Sequence, residues 1–307
     1  MEREPCDLPG YYLAKEFPIR VRIARWIGHQ RWIPKGQEAL LRMIIHPDRG
    51  YDLPFEVNFF AYRYRGNTNS FLDWRVLLYG AHSPYELSVL DRIARYLRCQ
   101  GRRVVYLDIG ANVGHHLLFM CGVADECHAV DPNGSALERA REKIELNHIK
   151  NTKLYEIALG ETNQTKPYFV PSAANEGTGS FLADWGSGGN SKTPIPAKIR
   201  KADEFLAEQG IVNVNIVKID VEGFEPAVLR GLKPVFERER PFILLELSSE
   251  GFNELGGEAG LRSCVYNDAK VFRVSGDYRF AHSVEPHRFE PCESEILIVP
   301  TEYAEAF

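Results

Sequence analysis

Residues 104–114 read Val104-Val105-Tyr106-Leu107-Asp108-Ile109-Gly110-Ala111-Asn112-Val113-Gly114. An apolar run ends in an aspartate and a glycine-bracketed turn, the pattern of a buried strand that opens into a helix. The same alternation continues downstream. CHAVD (127–131) reads as a second strand. Ser135 then precedes Glu138 by three residues, a capping-box pattern before the helical stretch 138–147. LYEIALG (154–160) reads as a third strand, and NIVKID (215–220), after a long insertion, as a fourth. Pro226 suits the first turn of a helix whose apolar face is Ala227, Val228, Leu229 and Leu232. FILLEL (242–247) is a fifth strand. Strands joined by helical crossovers predict an α/β fold, a mostly parallel sheet with helices on both faces. Ligands of such sheets sit at the strands' C-terminal ends.

The loop restricts which ligand that is. Without side chains at Gly110 and Gly114 the backbone can approach a ligand closely, and the helix that follows offers free N–H groups. The spacing is D-x-G-x-x-x-G, whereas a dinucleotide fingerprint is G-x-G-x-x-G/A. Asn112 stands where a second glycine is needed, and Asp108 would repel a pyrophosphate. A ligand carrying ammonium and sulfonium charges suits the site better. Asp131 ends the next strand about twenty residues on, where a carboxylate can accept both ribose hydroxyls. That feature is shared with dinucleotide sites, so the loop spacing makes the distinction.

Upstream, residues 1–100 read as an N-terminal α+β extension that contacts substrate or another subunit, and 101–307 as the ligand-binding domain. Within the extension, residues 19–31 place Ile19, Ile23, Trp26 and Ile27 at helical spacing among Arg20, Arg22, Arg25 and Arg31. Such a helix packs on its own domain or lies peripherally on a membrane or anionic partner. Residues 55–64 and 74–79 read as strands around the turn sequence GNTNS. Residues 84–98 carry Leu87, Leu90, Ile93, Ala94 and Leu97 on one helical face.

The chain has 307 residues, 44% of them hydrophobic and 26% charged, so a packed core is expected. A net charge of −5 gives no indication of nucleic-acid binding. No apolar run reaches transmembrane length, and the acidic opening MEREPCDLPG lacks signal-peptide order. Six scattered cysteines without a Cys-x-x-Cys pair fit buried thiols in a reducing cytoplasm, and no zinc-ligand spacing is present.

LDIGANVGHH, AVDPN, EIALGE and VKIDVEGFEPAVLRGL together resemble the FkbM family of methyltransferases in order and spacing. K-I-D-x-E-G-x-E followed by V-L-x-G is the most specific of these, and the resemblance spans roughly residues 84–247. Tyr85-Glu86 is similar to a tyrosine–glutamate pair that the family carries upstream of its first motif. The resemblance implies a seven-stranded class I methyltransferase sheet and S-adenosylmethionine as donor. Characterised relatives mostly methylate hydroxyl oxygens on sugars, polyketides and related natural products. Carried over by position, Glu86, Asp108, Gly110, Asn112 and Gly114 would border the methionine end, with Asp131 at the ribose and Ala158 near the adenine. The family usually has glutamate where Asp131 stands, one methylene longer, so ribose contact here would involve a loop shift or a water.

Asp220 and Glu222 end the fourth strand, and we place them nearest the transferred methyl. Asp220 is the first choice for base or substrate anchor and is also counted among the residues that border the cofactor. Glu222 shares that role or holds the cofactor's amino group, unless it merely caps the helix near Glu225. His115 and His116 open the helix after the loop. His116 is a further candidate base, against the reading that one histidine packs and the other faces solvent. No metal is expected, although Asp220, Glu222, Glu246 and His116 would suit magnesium if they converged. Residues 171–197 read as a lid or binding loop, with Phe181 and Trp185 able to stack on a sugar face. The expected function is O-methylation of a hydroxyl on a glycan or small natural-product acceptor. Protein or lipid acceptors, nitrogen methylation, a nicotinamide oxidoreductase and a non-catalytic cofactor binder are the alternatives.

Overall fold

A computed structural model describes residues 12–13, 16–30, 36–47, 51–170, 179–183, 194–276, 282–288 and 295–306. The described residues up to His82 form one compact unit and those from Ser83 onwards a second. The helix at 84–99 therefore belongs to the second unit, one element upstream of the boundary expected at 100.

In the first unit, strand β1 (Tyr12–Leu13) is followed by helices α1 (Ile19–Gly28) and α2 (Gln37–Ile44). The hairpin β2 (Pro54–Phe59) and β3 (Tyr62–Asn67) and helix α3 (Phe71–Tyr79) complete it. Two expectations fail here. Residues 55–64 are not one strand, because the chain reverses at Phe60, whose φ of 51° lies in the left-handed region. Residues 74–79 are helical rather than extended. The Ser70 hydroxyl accepts the Asp73 amide as an N-cap, and buried Trp74, Leu77 and Leu78 follow helical spacing. Gly28 lets α1 touch α3, since a Cβ there would collide with the Leu78 carbonyl.

In the second unit, α4 (Pro84–Cys99) leads into β4 (Val105–Ile109), the short α5 (His115–Met120) and β5 (Glu126–Val130). Next come α6 (Gly134–Leu146), β6 (Thr152–Tyr155), β7 (Ala158–Gly160) and β8 (Gln164–Tyr168). After the insertion follow β9 (Ile195–Lys201), α7 (Ala202–Glu208), β10 (Ile216–Ile219), α8 (Glu225–Glu239) and β11 (Phe242–Leu245). The chain closes with α9 (Ser249–Leu255), α10 (Gly257–Cys264), β12 (Lys270–Gly276), β13 (His282–Pro286) and β14 (Ile296–Val299).

The main sheet has the order β13-β12-β14-β11-β10-β4-β5-β6. Strands β11, β10, β4, β5 and β6 are parallel, and β14 runs antiparallel against β11. This is the class I methyltransferase order, with β13 added as an eighth strand at one edge. Fully buried strands β4, β10 and β11 explain their unbroken apolar runs. LYEIALG does not continue as one strand: it turns after Tyr155, and β7 pairs instead with β9 in a separate sheet of order β7-β9-β8. The capping box at Ser135 is also absent. Asn133 is the N-cap residue, and the Ser135 hydroxyl donates to its side-chain oxygen.

Candidate active site

Strand order puts the C-terminal ends of β4, β5 and β10 side by side, and the loops leaving them build the site. The first loop is fixed by close approaches. Gly110 has φ 85°, and a Cβ there would collide with the Asp220 carbonyl oxygen, so only glycine lets this loop lie against the end of β10. Asn112 is left-handed at φ 50°. At Gly114, with φ 76°, a Cβ would stand 2.7 Å from that of Ala140, which brings α5 against α6. The buried Lys143 ammonium donates to the Val113 carbonyl at 3.1 Å and ties the same loop to α6.

Asp131 joins the two loops. Its oxygens accept the Asn112 amide and the Asn133 amide, each at 2.8 Å. Burial pushes its carboxyl up to about 6, while these two amides oppose the rise. Asp108 is more exposed energetically than sterically. It is buried, yet neither carboxylate oxygen receives a well-formed hydrogen bond among the described residues. Burial raises its carboxyl, opposed by the charge of Lys218. A buried carboxylate without a partner is costly unless a ligand supplies one.

Around Asp108 lies a set of charges that the sequence only partly revealed. Lys218, buried on β10 and paired in register with Asp108, donates to Asp220 at 2.6 Å. Burial disfavours the Lys218 charge, but Asp220, Glu86 and Asp108 outweigh it and hold the ammonium well above its ordinary value. Asp220 is likewise disfavoured by burial as an anion, and the charge and hydrogen bond of Lys218 hold it below the ordinary range. Its side chain remains 31% exposed, so the carboxylate is both ionised and reachable. Glu86 on α4 is buried, its carboxyl raised by desolvation, and it lies 3.0 Å from His116 Nε2. Burial lowers His116 to about 4, so the imidazole is neutral, and its Nε2 makes no well-formed hydrogen bond among the described residues. His115 is buried with its ring edge-on to His116. Tyr85 donates to Glu295 at 2.9 Å, and burial lifts Glu295 to about 8. Glu246 opens to solvent and is held above the carboxylate range chiefly by the charge of Asp220.

Glu222 sits in the turn after β10 with φ 51°, and its carbonyl accepts the Ser180 hydroxyl at 2.6 Å. The Glu225 carboxylate holds this turn, accepting the Gly223 amide at 3.0 Å and that of Val221 at 3.3 Å, and the N-cap position of α8, Phe224, has no side-chain cap. Residues 171–178 and 184–193, including Trp185, lie outside the described residues. Phe181 does not stand free to stack. It packs against Phe224 and Tyr168, with ring centroids 4.6 and 5.1 Å apart. The charges of Asp131, Glu222 and Asp220 reinforce the upward shift that burial gives the Tyr168 hydroxyl, which places that ring beside the acids.

The structure thus gathers Glu86, Asp108, His116 and Asp220 into one cluster, with Gly110, Asn112, Gly114 and Asp131 at its margin. Ala158 is buried in the small sheet beyond the end of β6. Among the described residues no three His, Cys, Asp or Glu side chains form a metal-binding group, so Asp220, Glu222, Glu246 and His116 do not converge as magnesium ligands. Lys218, Glu295 and Tyr168 are the members that sequence reasoning missed. For Lys218 a signal existed, since residues two apart on a strand share a face and Lys218 is two before Asp220.

This sheet order, with an acid and a glycine turn at the end of its first central strand, defines a class I methyltransferase. The family model for the methyltransferase FkbM domain matches residues 108–280, and the chain belongs to that family. That family is one of S-adenosylmethionine-dependent methyltransferases. The 2-O-methyltransferase NoeI of Sinorhizobium fredii is 26% identical over 180 residues, 52% of this chain and 69% of that protein. Among solved structures, methyltransferase FkbM from Methylobacillus flagellatus KT superposes with a TM-score of 0.43 at 14% identity. The match covers 91% of this chain but 59% of that one, so the present chain spans little over half of that relative's length. A putative methyltransferase from Streptococcus mutans in complex with SAH gives a TM-score of 0.39 at 13% identity, over 71% and 97% of the two chains. No described helix is long and apolar enough to cross a membrane.

Proposed function

We propose that this chain methylates a hydroxyl oxygen on a sugar or similarly hydroxylated acceptor, with Asp220 as the group that receives the acceptor hydroxyl. The Lys218–Asp220 pair carries this reading: one carboxylate oxygen is fixed by a buried ammonium, and the side chain still meets solvent. The name of the related 2-O-methyltransferase agrees with an oxygen acceptor.

The residues fit the cofactor. Asp108, buried and without a well-formed hydrogen bond among the described residues, suits the α-ammonium or the sulfonium charge, with Glu86 adding to the negative field. Glycines 110 and 114 let the backbone pass close to the methionine end. The Asp131 carboxylate keeps lone pairs free beyond its two amides for the ribose hydroxyls. When bound, the donor supplies an already activated methyl group on sulfur.

The protein's task is then alignment and proton acceptance. Alignment in a closed site contributes about 7–11 kcal/mol, against about 10²–10⁴-fold for a general base. Asp220 orients the acceptor hydroxyl, and its carboxylate takes the proton as the oxygen–methyl bond forms and the sulfur–methyl bond breaks. Glu246 beside it offers the proton a route to solvent. His116, neutral and 3.0 Å from Glu86, lies beside that acid and is not the base in this reading. Glu222 and the Tyr168–Phe181–Phe224 rings lie on the acceptor side.

The test is transfer of labelled methyl to a panel of sugars and glycosides. The expected result is methyl ether formation, with Asp220→Asn lowering kcat by about 10²-fold or more while donor affinity stays within about threefold. Methylation of amines or proteins alone, or an unchanged kcat in Asp220→Asn, would refute it.

A further inference from the structure

Helix α1 presents the wrong face to its core by the reading of its sequence, and the discrepancy is informative. The ridge Ile19, Ile23 and Trp26 is 74%, 49% and 61% exposed. The helix packs instead through Val21, Ala24 and Ile27, with Gly28 against α3, so its attachment to the fold is complete without that ridge. At about 100° per residue, the three exposed side chains fall within an arc of about 60°. Arg22 projects on one side of this arc and Arg20 on the other, and both are exposed. The Arg20 guanidinium lies 3.9 Å from the centre of the Tyr51 ring. Helix α2 packs on α1 and adds Met43, 77% exposed, and Leu40, 37% exposed.

We propose that this face of α1 is an interfacial docking helix for an anionic lipid surface. Charge selects that occupant. The helix carries three arginines and no acid, in a chain whose net charge is −5. The nearest acid before it, Glu16, turns back to accept the Leu13 amide, and Glu38 of α2 pairs with Arg42. A convex apolar ridge containing tryptophan and flanked by arginines is the composition of helices that lie in the headgroup region of a bilayer. There the apolar ridge enters the acyl boundary while the guanidinium groups stay among the phosphates. Docking of this kind would bring the chain to lipid-borne acceptors without a membrane-spanning segment. It does not depend on which hydroxyl is methylated.

The test is flotation of the full chain with vesicles of phosphatidylcholine alone, or with about a third phosphatidylglycerol. The protein is expected to float with the anionic vesicles and to be released by high salt. Arg22→Ser should weaken partitioning about fivefold. Ile23→Ser with Trp26→Ser should weaken it by roughly tenfold or more per side chain, leaving the melting curve and transfer to a soluble acceptor unchanged. Failure of the wild type to float with anionic vesicles would overturn the proposal, as would equal flotation of the double variant. A dimer in light scattering that the double variant dissociates, with no vesicle binding, would assign the ridge to a second copy of the chain and overturn it equally.

Discussion

Replacing Lys218 by methionine removes a buried cation, the one among the described residues that pairs with this cluster of Glu86, Asp108 and Asp220. The volume is nearly kept, so the effect is electrostatic. Breaking a fully buried pair by deleting one partner costs about 3–5 kcal/mol, because the remaining charge is stranded. Asp220 is 31% exposed, and solvent screens part of this, so the expected loss is about 2–3 kcal/mol near pH 8. For a domain of this size that is a fall in Tm of about 4–12 °C. The pH dependence identifies the cause. Lys218 is held above its ordinary value, so its contribution is complete at every pH below that value and fades only in strong alkali. Asp220 is held below its own, so its contribution is present above the ordinary carboxylate range and is lost as pH falls through the folded value. Without Lys218 the raised carboxyls of Glu86 and Asp108 rise further and that of Asp220 rises from its depressed value, and falling pH neutralises them in the folded state. The gap between wild type and variant should therefore narrow by about half or more between about pH 8 and about pH 5.5. Thermal melts at both pH values measure it. A gap that stays constant or widens in acid would show that Lys218 contributes packing rather than charge.

Gly110→Ala should destabilise the second unit by about 2 kcal/mol or more and abolish donor binding, since the new methyl meets the Asp220 carbonyl at a positive φ; melting and calorimetry check both. Donor affinity should fall as pH drops through about 6, where the Asp131 carboxyl gains a proton and stops accepting from the ribose; affinity that is flat from neutral to pH 5 would refute its role. Because His116 is already neutral, kcat should show no step near the ordinary histidine pKa of about 6.5, and His116→Asn should change kcat less than Asp220→Asn does.

The central sheet was legible because buried parallel strands write themselves as apolar runs with glycine turns between them. The site's loop was legible for a related reason: Gly110 and Asn112 report backbone conformations that few residues tolerate. The extension was harder. Residues 73, 74 and 76–79 are all buried, so α3 has no broad polar face to mark a helical period, and its stretch from Trp74 to Tyr79, apolar except for Arg75, reads equally as a strand. The hairpin turns at Phe60-Ala61, and neither turn residue is the glycine or asparagine that signals a tight turn. Lys218 escaped notice because a lysine in a strand normally faces water, and only the neighbouring acids make its burial tolerable. Glu295 lies far along the chain from the motifs it joins.

Cofactor affinity and melting temperature of Asp108→Asn, measured on the same samples, test the central claim most directly. Asp108 is one of three acids facing the Lys218 ammonium, and among the described residues its oxygens receive no well-formed hydrogen bond. Losing that charge should raise Tm by a few degrees, about 1 kcal/mol, because a stranded charge is removed. The same change should weaken S-adenosylmethionine binding by roughly 10²-fold, because the ligand's cation loses its counter-charge. A variant that melts higher and binds far more weakly is the predicted result. Unchanged affinity for S-adenosylmethionine would contradict the assignment of this loop to the donor.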